Sequence, residues 1–460
     1  MSNSANVLTL GKTPEATILK LSWPAILEQI AFTLLNFADT AMVGVLGAAY
    51  TAAVGLTSPV LWLAGGIIGA VSVGFSVQVA QAVGAGDYDR ASRTVGQSLL
   101  GSAALGILLL VAGLLVTPFL PKLLGAQPDV AALAVQYFGV MTFSFFANSF
   151  EVNISSILRC VGNTKSPLIA NSIAVVVNVF LNLLFIFPTR TVILFGNSVT
   201  LWGANMGVAG AALGSVLSIV IAVFLMAKPF FCSANEVRFH LRDVKRVDRQ
   251  IMSRAIELGI PVALERITMS LGQLVYIRII STLGTTALAA HHLAIQTESL
   301  SYMPSFGFSM AATTLVGQSI GADDRPGARN FGRIAANMTA LLMTGAGVFI
   351  FFGGSLMLQL FTRDVTVIAI GAGLLRIVAF AQPPQAFANV YSGALRGAGD
   401  TRWPFYINLL GVWGVRVGLS LVLVTGLGWG LSGAWIAMLC DQVFRGYVCR
   451  RRFLNCMSDG

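Results

Sequence analysis

The stretch WPAILEQIAFTLLNFADTAMVG, Trp23 to Gly44, is long and apolar enough to cross a bilayer, yet it carries Glu28, Gln29, Asn36 and Asp39. At 1.5 Å per residue about 20 residues span the roughly 30 Å hydrocarbon layer, so the segment is predicted to be a transmembrane helix. At about 100° per residue, Gln29, Thr33, Asn36 and Thr40 share one face, with Glu28 and Asp39 beside them. An ionised Asp facing lipid at mid-depth costs about 2.5–3.5 kcal/mol on insertion scales, so this stripe is expected to face protein or a water-filled cavity. In a membrane protein such a cavity points to transport.

The rest of the chain fits a bilayer. Of its 460 residues, 56% are hydrophobic and 10% charged, and the mean hydropathy is +0.79. Apolar runs of spanning length begin near residues 20, 52, 95, 130, 166, 207, 255, 286, 331, 366, 403 and 430, which predicts an all-α polytopic membrane protein of about twelve helices. The net charge of +10 does not imply a nucleic-acid partner, because the basic residues lie between hydrophobic runs rather than on one water-exposed face. Lys122, Arg190 and Arg363 fall in loops on one side, and Arg266, Arg278, Arg376 and Arg416 lie in or beside spans. The remaining 22 of the 29 Lys and Arg, Arg159, Arg396 and Arg445 among them, are assigned to the side of the termini. The positive-inside rule then predicts both termini cytoplasmic, in the inner membrane.

Other chemistry has little support. Cys160, Cys232, Cys440, Cys449 and Cys456 show no CxxC spacing, so neither a disulfide framework nor a metal site is expected. Residues 1–19 lack the apolar region and cleavage site of a signal peptide, and the first span is expected to direct insertion. Gly11-Lys12-Thr13 resembles the end of a phosphate loop but lacks the upstream glycine and strand. A membrane-embedded enzyme would need a nucleophile with a base, or a metal cluster at depth. His240, His291 and His292 form no such motif, and no enzyme is expected.

Comparing the two halves exposes a repeat. Pro24 pairs with Pro261, and the same offset of 237 residues pairs Leu27-Glu28 with Leu264-Glu265, and Gln81, Gly84 and Ala85 with Gln318, Gly321 and Ala322. It also aligns LRCVGNTKSPLIAN (158–171) with LRGAGDTRWPFYIN (395–408). Later the register moves, GVAGAA (207–212) matching GLSGAW (430–435), which implies an insertion around 189–205, expected to be an external loop. The halves therefore divide as 1–231 and 255–460, two six-helix lobes related by a pseudo-two-fold axis along the membrane normal, joined by a cytoplasmic linker 232–254. Such a plan places a substrate pathway between repeats. The repeated Gly-Ala-Asp and Arg-Gly-x-Gly-x-Thr segments are expected to be turns with helix caps.

These motifs together carry a resemblance. NFADTAMVGVLG, the paired VGAGD and IGADD turns, ALAAHHLA followed by GFSMAATTLVGQ, and the twin LRCVGNTK and LRGAGDTR turns resemble the multidrug and toxic compound extrusion family over nearly the whole length. The resemblance implies two six-helix bundles that alternate between outward and inward states and expel amphiphilic, often cationic organic compounds against a proton or sodium gradient, with no further cofactor. A DinF-like branch takes up its coupling proton on an aspartate of the first span and bends that span at a proline. Asp39 and Pro24 match both. The fifth-span partners fall on Asn178 and Asn182, the second being an Asp in that branch. NorM-like members place acids in the seventh and tenth spans, where Ser270 and Gln385 stand here.

The candidate ion-coupling residues are thus Asp39, Asn178 and Asn182, with Pro24 as helix bend. Asn171, Asn178 and Asn182 share one face of the fifth helix and are expected to form one amide stripe opposite the carboxyl. None of the four in-membrane arginines lies in the first lobe, which leaves Asp39 without a cation there. Thr33 and Asn36, with Met303, Phe306 and Glu298 in the eighth span, are weaker candidates for a substrate cavity. Glu28 and its repeat mate Glu265 are expected to be structural. Glu298 and Glu151, whose mates are Leu61 and Ala388, are candidates for coupling or for pairs with Arg278, Arg376 or Arg416. Phe143, Phe145, Phe146 and Phe150 are expected to pack or face lipid, and His291 and His292 to pack or cap. A monomer in contact with lipid is expected. The alternatives are a sodium-coupled exporter and a lipid-linked sugar flippase of the same superfamily, for which a more cationic cavity would be required.

Overall fold

Inside a bilayer every backbone N–H and C=O must be bonded within its own segment, so apolar runs of this length fold as helices. The structure, a computed structural model, describes residues 8, 11, 13–194, 197–231 and 247–458. Most of the expected linker 232–254 lies outside the described residues. The first half supplies α1 (Pro14–Gly44), α2 (Ala48–Gly84), α3 (Tyr88–Val116), α4 (Pro128–Cys160), α5 (Lys165–Phe185) and α6 (Gly207–Phe231). The second supplies α7 (Arg249–Ser281), α8 (Thr285–Gly321), α9 (Arg325–Gln359), α10 in two pieces (Val365–Ala379 and Gln382–Gly397), α11 (Arg402–Gly426) and α12 (Gly430–Cys456). These are the twelve expected spans. Eight of them, and α10 taken as one bent span, are long and apolar enough to cross a membrane; α7 and α12 carry more charge, and α8 more histidine and other polar residues.

Sequence accounts for the irregularities. The pieces of α10 meet at 55°, where Pro383 and Pro384 occupy the first turn of the second piece and cannot donate backbone hydrogen bonds. The insertion near 189–205 forms an antiparallel hairpin, β1 (Pro188–Leu194) against β2 (Asn197–Ala204). Turns carry the expected caps: Asp324 Oδ1 accepts from Gly327 N at 2.8 Å, and the repeat mates Asn163 and Asp400 accept from Ser166 N and Trp403 N at 3.1 and 3.3 Å. Two stretches of α11, Leu410–Val417 and Leu421–Gly426, run as π-helix.

The helices gather into two compact units. One draws on Leu27–Val79 and Tyr88–Ile256, the other on the earlier part of α1 up to Ile26, on Ala80–Asp87, and on the chain from Glu257 onward. In the first, Phe75 packs on Ile251 and Ala255, Phe138 and Phe145 on Ala64 and Leu120, and Val43 on Ile186, Val208 and Ala211. In the second, one cluster joins Ile18 and Leu21 to Leu315, Tyr391 and Phe453, and another surrounds Trp435 and Tyr276. The repeat is visible where α2 and α8 end within that second unit. A Cβ on Gly84 would overlap Gln318 O, and one on its mate Gly321 would overlap Gln81 O, so only glycine lets these backbones approach.

Candidate functional site

Three helices of the first unit converge on Asp39. Helix α1 supplies the carboxylate, α5 supplies Asn178 and Asn182, both fully buried, and α6 supplies Ser215 and Ser218. Four residues apart, the two asparagines stand one above the other on the same face of α5. Asn182 Nδ2 donates to Asp39 Oδ1 at 2.6 Å and to Asn178 Oδ1 at 2.9 Å, and Asn178 Nδ2 donates to Ser215 Oγ at 3.2 Å and Ser218 Oγ at 3.4 Å. The Asn178 amide also fits turned about. Its nitrogen then donates to Asp39 Oδ1 at 2.8 Å and its oxygen accepts from Ser215 Oγ and Ser215 N at 3.2 and 3.3 Å. Among the described residues Asp39 makes no ion pair, and Asn182 Oδ1 has no hydrogen-bond partner. Gly214, which sequence reasoning missed, makes room for this arrangement, since a Cβ there would overlap Asn182 Oδ1.

Asn171 does not join that stripe. Seven residues before Asn178, about 10 Å along the helix, it serves a second station: its Nδ2 donates to Glu28 Oε1 at 2.6 Å and to Glu151 Oε1 at 2.9 Å. Arg159 Nη2 pairs with the same Glu28 at 2.9 Å and also bonds Ser155 Oγ. This corrects the assignment of Arg159 to a loop. It lies in the last turn of α4, 12% exposed, so the first lobe does hold a partly buried arginine within a helix, and that arginine is bonded to Glu28. Arg396 and Arg445 are likewise within helices and buried or nearly so.

In the second unit the same offset reproduces the triad. Arg396 Nη2 pairs with Glu265 Oε1 at 2.6 Å, and Asn408 Nδ2 donates to it at 2.9 Å. From there a continuous network runs on: Arg445 Nη1 donates to Asn408 Oδ1 at 2.9 Å, Arg445 pairs with Asp441 at 2.8 Å, and Arg416 pairs with Asp441 at 2.7 Å. The repeat mate of Asp39 is Tyr276, whose hydroxyl donates to Ala434 O at 2.9 Å. The mates of Asn178 and Asn182 are Val415 and Leu419.

The other candidates are dispersed. Pro24 is buried inside α1, two residues before the point where that helix passes from one unit to the other. Thr33 Oγ1 and Asn36 Nδ2 donate to the carbonyls of Gln29 and Phe32 on their own helix, both at 3.0 Å. Met303 and Phe306 are partly buried in the second unit, Phe306 edge-on to Tyr302. Glu298 is 4% exposed, and its carboxyl has no hydrogen bond or ion pair among the described residues. His291 is packed against Tyr276 and Trp435, its Nδ1 accepting from Trp435 Nε1 at 3.1 Å.

Comparison with known proteins agrees with this architecture. The MatE family model matches twice, over residues 24–184 and 261–422, its two starts falling on the paired prolines. The chain is 30% identical over 457 residues, 98% of its length and 95% of the relative's, to a Thermotoga maritima protein named "Probable multidrug resistance protein NorM". Among solved structures, a MOP superfamily transporter from Pyrococcus furiosus superposes with a TM-score of 0.90 at 23% identity, covering 100% of this chain and 98% of that one. The outward-facing conformation of a multidrug resistance MATE family transporter of the MOP superfamily does so with a TM-score of 0.90 at 24% identity, again over 100% and 98%. With two copies of the family pattern in one chain of about twelve transmembrane helices, the protein belongs to the MatE family of multi-pass membrane transporters and is not an enzyme.

Proposed function

We propose that this protein is a proton-coupled multidrug exporter, carrying small amphiphilic, often cationic organic compounds outward by alternating access. The observation that carries the reading is Asp39, bonded to neutral groups, an amide on α5 and the Ser215 hydroxyl on α6, with no ion pair among the described residues. A carboxylate in such a setting can gain a proton without stranding a buried cation. The Asn178 amide suits both states. With its nitrogen toward Asp39 it donates to a carboxylate, and with its oxygen there it accepts from the O–H of the acid. Protonation would thus exchange one bonding pattern for another and favour one arrangement of α1, drug binding the other; a ligand shifts the balance only by binding the two states unequally. Pro24 would let α1 bend between them.

The branch reading rests on the same residues. Asp39, Pro24 and Asn178 fit the DinF-like pattern, and Ser270 and Gln385 stand where NorM-like acids are expected. Sodium is the second reading for the coupling ion, favoured by the unpartnered Asn182 Oδ1 beside the carboxylate, since a hard cation takes oxygen ligands. We further place the protein in the cell membrane as a monomer, with lobes 1–231 and 255–460 and cytoplasmic termini. Labelling of a cysteine at Arg249 by an impermeant reagent from outside intact cells would contradict that orientation.

Drug uptake into everted vesicles tests the function. Accumulation is expected under an imposed pH gradient and is expected to collapse in Asp39→Asn. Uptake driven by sodium alone would transfer the role to sodium, and no uptake under either gradient would refute the proposal.

A further inference from the structure

Glu151 takes no part in the export cycle proposed above and has no counterpart in the second half. The triad Glu28–Arg159–Asn171 recurs as Glu265–Arg396–Asn408 with the same bonds at the same sequence separations, so the triad is architecture common to both halves. The halves differ around it. In the second, Ala388 stands in the place of Glu151, and the far side of the Asn408 amide is bonded by Arg445. In the first, the Asn171 amide nitrogen is divided between two carboxylates, Glu28 and Glu151. The charged groups that act on Glu151 are Glu28 from α1 and Arg159 from its own helix, while α5 contributes only the neutral amide. Two carboxylates therefore depend on one guanidinium, and a proton on one of two like charges held this close relieves their repulsion.

We propose that Glu28 and Glu151 form a proton-sensitive latch on α1. With Glu151 protonated, Arg159 balances the charge of Glu28 and clamps it, so α1 is fastened to α4. When that proton leaves to water, Glu151 competes with Glu28 for Arg159 and repels it, and the clamp loosens. Only an O–H bond is made or broken. Glu28 lies four residues after Pro24 and 11 before Asp39, about 16 Å along a straight helix from the latter. The latch thus acts on the same helix as Asp39 without touching it, and does not depend on Asp39 being the coupling site. Glu151 is here a positioning residue, acting through Glu28 and Arg159.

The test uses the purified full-length protein in lipid nanodiscs as wild type, Asp39→Asn, Glu151→Gln and Glu151→Ala, the last installing the residue of the second half. Infrared titration is expected to show a carboxylic acid band that disappears as pH rises in wild type and in Asp39→Asn, and that is lost from both Glu151 variants. Hydrogen–deuterium exchange of residues 20–30 is expected to quicken over the same pH range in wild type and Asp39→Asn, and to lose that dependence in both Glu151 variants. Because Asp39→Asn keeps both signals, failure of the export reading is told apart from failure of the latch. A band and an exchange profile unchanged in Glu151→Gln would overturn the latch. Should that variant not fold, Glu151→Ala carries the same comparison. Failure of both to fold would make Glu151 a structural residue and overturn it as well.

Discussion

Asp39, on the first helix of the chain, meets an asparagine amide and a second asparagine backed by two serines, whereas Asp441, on the last helix, meets the guanidiniums of Arg416 and Arg445. The repeat relates these surroundings. The register that joins Pro24 to Pro261 carries Asp39 onto Tyr276 and the two asparagines onto Val415 and Leu419, which flank Arg416; the register that joins GVAGAA to GLSGAW carries Ser218 onto Asp441. One scaffold thus holds a carboxylate in two chemically opposite ways. Removing the charge of Asp441 would strand two buried cations, while removing that of Asp39 strands none. The first arrangement suits structure and the second suits exchange.

The comparison can be broken by mutation, and the largest effect is expected at Asp441. Asp441→Asn leaves Arg416 and Arg445 without their counter-charge, and is expected to cost about 3–5 kcal/mol, read as loss of folded protein in a thermal melt in detergent. If Asp441→Asn melts like wild type while Asp39→Asn unfolds, the assignment of roles is reversed. Gly214→Ala comes next. Its Cβ would displace Asn182 from Asp39, forfeiting a charge-assisted hydrogen bond of about 1.5–3 kcal/mol, so gradient-driven export is expected to fall roughly 10- to 100-fold. Unchanged export would show that the Asn182–Asp39 bond is dispensable. The smallest effect belongs to Tyr276→Phe, which removes the bond to Ala434 O. It is expected to cost about 0.5–1.5 kcal/mol of stability and to leave coupling intact, as checked by melting and vesicle uptake.

Much of this was legible in the sequence because hydrocarbon leaves few choices. Apolar run length gave the helices, and the 237-residue register reappears in the two stretches matched by the family pattern and in the duplicated Glu–Arg–Asn triad. Asp39 and the α5 face of Asn178 and Asn182 were legible as polar partners because neither belongs in lipid unsatisfied, but which amide bonds the carboxylate was not. Arg159, Arg396 and Arg445 misled, since each lies near the end of an apolar run and reads as loop until the glutamate, aspartate or amide that holds it is seen on another helix. Asn171 misled by angle: facing matches Asn178 and Asn182, but height along α5 sends it to Glu28 and Glu151. The role of Gly214 and the π-helical course of α11 depend on neighbouring helices, which no single-helix periodicity records.

The most direct measurement follows protons rather than drug. Purified protein in weakly buffered detergent solution, given a saturating cationic substrate near neutral pH, is expected to release protons in wild type and to release none in Asp39→Asn, whose amide has no proton to give up. Equal proton release from Asp39→Asn and wild type, with release abolished instead in Glu298→Gln, would contradict the account and move the coupling site to the second unit.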